Sequence, residues 1–305
     1  MPCSSPERLS NAIRRARDAR EPLQLRTPVN FGLHVRVGAG YDETIAYAQR
    51  LGCTSLQFFS GNPKTYRVGA IDAPALERFS NGRKAAGIAT SAIHTSYLIN
   101  LASEDPKISN GSLRLLTNDL RVAAAGSVPF VNTHLGSYGK RDRSEGFAQV
   151  VAALETALTD IAPGVYLVME NSAGAGQLCG GTMEELGALI RTIGHPQLAV
   201  CLDTAHSWAA GYEIDSAEGV DRFFDLVDRE IGLDRVVMFH FNDTEIPLGG
   251  HKDRHWHIGE GLIGLAGFRA IAGHAGVKGK TAILETPGEE PDDVRNMDRI
   301  RSLFA

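Results

Sequence analysis

The chain has 305 residues, 43% of them apolar and 22% charged, a balance that excludes disordered, collagen-like and coiled-coil proteins and suffices for one large α/β barrel or two ordinary domains. No apolar run approaches the ~18 residues of a membrane-spanning helix, and the N-terminus lacks the roughly 7–15-residue apolar block of a secretory signal. The formal charge of −5 taken alone disfavours a polyanionic partner. Four scattered cysteines, Cys3, Cys53, Cys179 and Cys201, offer neither a disulfide framework nor a thiolate zinc site and fit a reducing, cytoplasmic setting.

Residues 1–28 carry Arg8, Arg14, Arg15, Arg17, Arg20 and Arg26 against Glu7, Asp18 and Glu21, with few large apolar side chains. This arginine-rich stretch reads as a flexible, solvated extension that builds no core. Residues 29–305 read as one catalytic domain.

From residue 29 a regular beat begins. Short apolar, β-favouring runs recur at 29–35, 54–59, 88–94, 129–134, 165–170, 198–203, 236–241 and 281–285, with helical patterns between them. Phe147, Val150, Val151, Leu154, Leu158 and Ile161 form one stripe at three- and four-residue spacing. Thr182 followed by Glu185 predicts a capping box. Gly52, Gly87, Gly126, Gly194 and Gly276 precede strands and are expected to leave their helices in the left-handed conformation. Eight strands alternating with helices, several of them continuously apolar, predict an α/β fold of the closed (β/α)8 TIM-barrel type. An open doubly wound sheet fits less well, since no GxGxxG follows the first strand.

Catalytic groups of such barrels lie at the C-terminal ends of the strands. Six of the expected strands end on or beside His94, His134, Glu170, Asp203, His240 and Glu285, although His, Asp and Glu together fill only 46 of 305 positions. Converging carboxylates and imidazoles stay costly unless a cation binds them, and nitrogen and oxygen donors without thiolate suit zinc, manganese or iron. Two further pairs follow on loops. Asp203 and His206 form a D-x-x-H pair, and Asp253 and His255 form a D-x-H pair whose alternate side chains face one way on an extended segment. Nine candidate ligands suit two or three ions bridged by a carboxylate. Taken singly, His94 or His134 would as readily be a structural histidine, and Tyr97 and Trp256 packing residues. His34 reads as structural, with a place behind the ligands open to it.

Across most of the chain, from about Gly32 to Pro287, these segments resemble the endonuclease IV family of zinc-dependent apurinic/apyrimidinic (AP) endonucleases. The likeness is carried by His94-Thr95-Ser96-Tyr97-Leu98-Ile99-Asn100-Leu101, Thr133-His134-Leu135-Gly136-Ser137, Met169-Glu170-Asn171, Cys201-Leu202-Asp203-Thr204-Ala205-His206, His240-Phe241-Asn242-Asp243, Asp253-Arg254-His255 with Ile258-Gly259-Glu260-Gly261, and Leu284-Glu285-Thr286-Pro287. The resemblance implies three Zn2+ ions, with Mn2+ an alternative at one site. His94, His134 and Glu170 would hold the first. Glu170, Asp203, His240 and Glu285 would hold the second, and His206, Asp253 and His255 the third. It implies Glu170 and Glu285 as the catalytic carboxylates, Glu285 orienting the attacking hydroxide. It implies a monomer that cleaves double-stranded DNA 5′ to abasic sites, leaving a 3′-hydroxyl and a 5′-deoxyribose phosphate, and trims blocked 3′ ends.

Three dications would raise the charge to about +1 and concentrate the positive field at the mouth, which removes the objection to DNA. Lys64, Arg67 and Arg254 are expected to meet phosphates, and Tyr97 and Leu98 to fill the gap in a kinked abasic duplex. Lys64 and Tyr66 stand where the family usually has arginine and tryptophan, and Leu135 where it has proline; lysine lacks arginine's planar, stacking contact. Two rival readings share the fold or the substrate: a divalent-metal sugar isomerase or epimerase, which does not require both loop pairs, and a non-catalytic damage-binding protein.

Overall fold

In a computed structural model, which describes residues 29–305, eight parallel strands close into a barrel in chain order, the last pairing with the first. They are β1 (Asn30–Val35), β2 (Ser55–Phe59), β3 (Thr90–His94), β4 (Phe130–Thr133), β5 (Tyr166–Glu170), β6 (Leu198–Asp203), β7 (Val236–His240) and β8 (Thr281–Leu284). Each observed strand lies within its expected run. The arginine-rich extension and Cys3 lie outside the described residues.

The connecting helices are α1 (Tyr41–Arg50), α2 (Ala73–Ala85), α3 (Pro106–Ala125), α4 (Arg143–Leu158), α5 (Met183–Ile193), α6 (Thr204–Ala209), α7 (Ala217–Glu230), α8 (Gly264–Gly273) and α9 (Glu290–Leu303). Asp72, Asp105, Asp142, Thr182, Asp203 and Ser216 each cap a helix by accepting a backbone N–H. The stripe expected on α4 buries Val150, Leu154 and Leu158 against the core. Helix faces and outward strand residues form one large apolar layer. A second cluster made of strand residues, including Ala92, Phe130, Val168, Met238 and Ile283, fills the barrel. No described helix is long and apolar enough to cross a membrane.

Three local expectations are corrected. Gly126 has φ −92°, and the left-handed turn falls on Ser127 instead (φ 49°); a Cβ at 126 would sit 3.3 and 3.4 Å from the Leu76 and Val128 side chains, a close fit. Gly276 is likewise outside the left-handed region and lies where a Cβ would press on the Phe224 ring at 2.8 Å. Gly52, Gly87 and Gly194 do take positive φ. Of the capping box only half is made. Thr182 Oγ1 accepts from Glu185 N at 3.2 Å, but the Glu185 carboxylate turns away to Gly180 N, Tyr138 Oη and Arg143, which offer it more donors than one N-cap amide.

Candidate metal centre

The parallel register sets His94 beside Asn132, Glu170 beside Cys201, and Asp203 beside His240. The polar side chains that end neighbouring strands therefore lie at one level of the barrel mouth. There they form three overlapping groups, in each of which one donor atom per residue lies within 4.8 Å of the others.

The first group is His94, His134 and Glu170, with the two Nε2 atoms 3.4 and 3.8 Å from Glu170 Oε2. The second is Glu170, Asp203, His240 and Glu285. Here His240 Nδ1 stands 3.1 Å from Glu170 Oε1, 3.3 Å from Glu285 Oε2 and 3.8 Å from Asp203 Oδ2. The third is Asp203, His206 and His255, and Asp253 Oδ1 joins it at 3.2 Å from His206 Nε2 and 3.4 Å from His255 Nε2. All nine expected ligands thus converge. One detail differs from the sequence expectation: Asp203 serves two groups, because its Oδ2 also lies 3.4 Å from His255 Nε2.

Local chemistry explains the convergence. Asp203 ends β6 and caps α6, its Oδ1 accepting from His206 N at 2.8 Å, so one carboxylate starts the helix and fixes His206 in its first turn. His94, His206 and His255 point Nδ1 at the carbonyls of Thr95 (2.8 Å), Asn171 (3.0 Å) and Glu285 (3.3 Å). A carbonyl only accepts, so Nδ1 carries the proton and the Nε2 lone pair faces the cluster.

The segment bearing Asp253 and His255 has no regular structure, and the turn that follows it is tied to the buried carboxylate of Asp243. Asp243 Oδ1 accepts from Thr244 N and Ile263 N (2.8 and 3.0 Å), and Oδ2 from Gly259, Gly261 and Gly264 N (2.9, 3.0 and 3.2 Å). Gly261 is obligatory there, since a Cβ would collide with Asp243 Oδ1 and the Thr244 carbonyl.

Burial alone would push the Glu170 carboxyl up, but His134, His240 and the bond from His206 outweigh it and hold it well below the carboxylate range. The same balance, led by burial against His240 and His34, holds Glu285 down. Burial opposes the charged forms of His206 and His240, yet the surrounding carboxylates and, at His240, Cys201 raise both. At His134 burial prevails and lowers the value. Asp253, with burial opposed by His206, is lowered to about 2. Buried carboxylates that stay ionised among imidazoles are compensated by a cation. His206 Nε2 and His255 Nε2 are moreover buried and, though 3.2 to 3.4 Å from carboxylate oxygens, make no aligned hydrogen bond, as ligand atoms awaiting an ion would be. The donor set, imidazole nitrogen and carboxylate oxygen, fits a divalent metal.

At the rim, Tyr97 is 63% exposed and leans edge-on against Phe59, ring centres 5.0 Å apart. Leu98 beside it is half-buried, and Lys64 and Arg254 are exposed, without a carboxylate partner among the described residues. The Lys64 loop is tied to the Tyr97 loop by Tyr66 Oη donating to Leu98 O (2.6 Å) and Ser96 Oγ donating to Pro63 O (2.7 Å).

Sequence reasoning missed the carboxamides. Asn132 Nδ2 donates to Glu170 Oε2 (2.6 Å), Asn242 Nδ2 to Asp203 Oδ2 (2.7 Å), and Gln57 Nε2 to Glu285 Oε1 (2.6 Å). His34 Nδ1 lies 3.4 Å from Glu285 Oε1, behind the ligands. For Gln57 and Asn132 the available signal was an amide side chain inside a mostly apolar strand, whereas Asn242 lies just past the end of β7.

Residues 45–303 match the family described as xylose isomerase-like TIM barrel. A protein named probable endonuclease 4 from Natranaerobius thermophilus is 38% identical over 277 residues, 90% of this chain and 98% of that relative. The crystal structure of endonuclease IV from Thermus thermophilus is 33% identical with a TM-score of 0.79, covering 90% of this chain and 98% of that one. A D-allulose 3-epimerase from Methylomonas, 18% identical with a TM-score of 0.65 over 90% of this chain and 98% of that one, shares the fold.

Proposed function

Because the chain belongs to the endonuclease IV family, we propose that it is a metal-dependent DNA-repair endonuclease that hydrolyses the phosphodiester 5′ to abasic sites, leaving a 3′-hydroxyl and a 5′-deoxyribose phosphate, and trims blocked 3′ ends. The observation that carries this reading is the set of three donor groups joined through Glu170 and Asp203. His94, His134 and Glu170 would hold one zinc, Glu170, Asp203, His240 and Glu285 a second, and His206, Asp253 and His255 a third, with manganese an alternative at one position. Such ions supply charge compensation for the phosphate and its leaving oxygen, and a nucleophile at neutral pH.

The chain's own groups do the rest. Glu285 keeps Oε1 against Gln57 and turns Oε2 to the cluster, the atom we assign to orienting the nucleophile. Exposed Tyr97 and its neighbour Leu98 fill the space of the missing base, while Lys64, Arg67 and Arg254 meet backbone phosphates and set the register of the duplex. The protein is read as a monomer acting in the cytoplasm, consistent with unpaired, buried Cys53, Cys179 and Cys201.

A sugar epimerase would leave the His206–Asp253–His255 group without a task. Elemental analysis and incision of an abasic duplex on one dialysed preparation test the proposal. Three zincs per chain and a nick 5′ to the lesion are expected. About one ion per chain with no incision would favour the epimerase reading, and tight binding without a nick would make the protein a damage-binding one.

A further inference from the structure

β1 and β2 contribute none of the nine ligands, yet Gln57 of β2 lies against two members of the second group, Glu285 and His240. It is fully buried, and its amide touches three residues. Nε2 is 2.6 Å from Glu285 Oε1 and 3.1 Å from His34 Nδ1, and Oε1 is 3.1 Å from His240 Nε2.

The orientation of this amide is forced by its neighbours. An ionised carboxylate only accepts, so the face toward Glu285 must be NH2; a flip would set two acceptor oxygens together. With the NH2 committed, Oε1 must face His240 Nε2, and it can accept only if Nε2 carries the ring proton. The Nδ1 lone pair is then free, and Nδ1 is the atom that stands among Glu170, Asp203 and Glu285. His240 is therefore wired in reverse to His94, His206 and His255, whose Nδ1 atoms face backbone carbonyls. Backbone carbonyls come with the fold, whereas at His240 a single side chain performs this task.

We propose that Gln57 is the positioning residue of the second metal site, selecting the Nε2–H tautomer of His240 and fixing Glu285 with the same amide. Its two functions are coupled: the NH2 contact with Glu285 decides which atom faces His240. The inference rests on the metal reading above and adds to it which nitrogen of His240 binds and what makes it do so. Outer partners of metal-bound histidines contribute about 10–100-fold in affinity, and here one substitution removes the support of two ligands.

Gln57→Met keeps the length of the side chain and removes both polar contacts. Zinc-loaded wild type and variant are titrated with a competing chelator and counted by elemental analysis. The variant is expected to hold one of three ions about 10–100-fold more weakly and the other two as wild type does. Three ions held equally well by both proteins would overturn this inference alone. A wild type that retains no zinc would overturn the metal reading and this inference with it. Should Gln57→Met fail to fold, histidine-ring 15N NMR of the zinc-loaded wild type decides the matter. His240 protonated at Nε2 and bound through Nδ1 is expected, and a proton on Nδ1 would overturn the inference.

Discussion

Replacing Asp243 by alanine should loosen the turn at residues 259–264, just after the segment that carries Asp253 and His255, before it unfolds the barrel. Five backbone N–H groups converge on that carboxylate. Gly259, Gly261 and Gly264 are half-buried, so water can replace the lost acceptor for them at small cost. Thr244 and Ile263 are buried, and each orphaned amide there costs about 1–3 kcal/mol, which sets the loss at about 2–6 kcal/mol. Asp243→Asn should lose less, because one oxygen remains for Thr244 and Ile263 while the new NH2 opposes the three glycine amides. Urea unfolding of the chelator-treated protein measures the stability loss, and elemental analysis measures retention of the ion assigned to His206, Asp253 and His255. A loss below about 1 kcal/mol with full metal retention would refute the view that this buried carboxylate holds the turn beside Asp253 and His255 in place.

Glu285→Gln should leave the fold intact and lower incision by about 10²-fold or more; near-normal turnover would remove Glu285 from the mechanism. His206→Ala should lose one ion of three, and full occupancy would count against the third group. Lys64→Ala should weaken duplex binding several-fold and reduce the salt dependence by about one phosphate contact, with single-turnover incision of bound DNA unchanged. Asp119, buried beside Ser60, has its carboxyl pushed up to about 7 by burial. The folded value lies above the unfolded one, so its contribution is most favourable below about pH 4 and is lost as pH rises toward 7, a loss of about 4 kcal/mol. Asp119→Asn should therefore melt progressively higher than wild type between pH 5 and pH 8, and a pH-independent difference would show that Asp119 stays ionised.

The strands and the donor residues that meet at the barrel mouth were legible in the sequence because both are local properties. A run such as Val236–His240 states its own burial through residue type, and the terminal His, Asp or Glu stands where a parallel barrel keeps its chemistry. Helix ends were legible only in part: the left-handed turn fell one residue past Gly126, on Ser127, and Glu185 took partners remote from its own helix end. Of the residues behind the donor groups, His34 was open to that role and the carboxamides were missed. Gln57, Asn132 and Asn242 carry no spacing signal, and an amide in a strand gains a role only from what lies across the barrel.

Periodicity and residue type act within a few positions of the chain, and they set which elements form and which donor atoms the mouth contains. Closure of the barrel decided the rest: that Glu170 and Asp203 are each shared between two groups, and that His240 turns Nδ1 inward while its fellow histidines turn Nε2. These are matters of distance between residues remote in sequence. The sharing follows from strands β3 to β8 standing side by side, and the contacts of Gln57 with His240 and Glu285 form only when β1 meets β8.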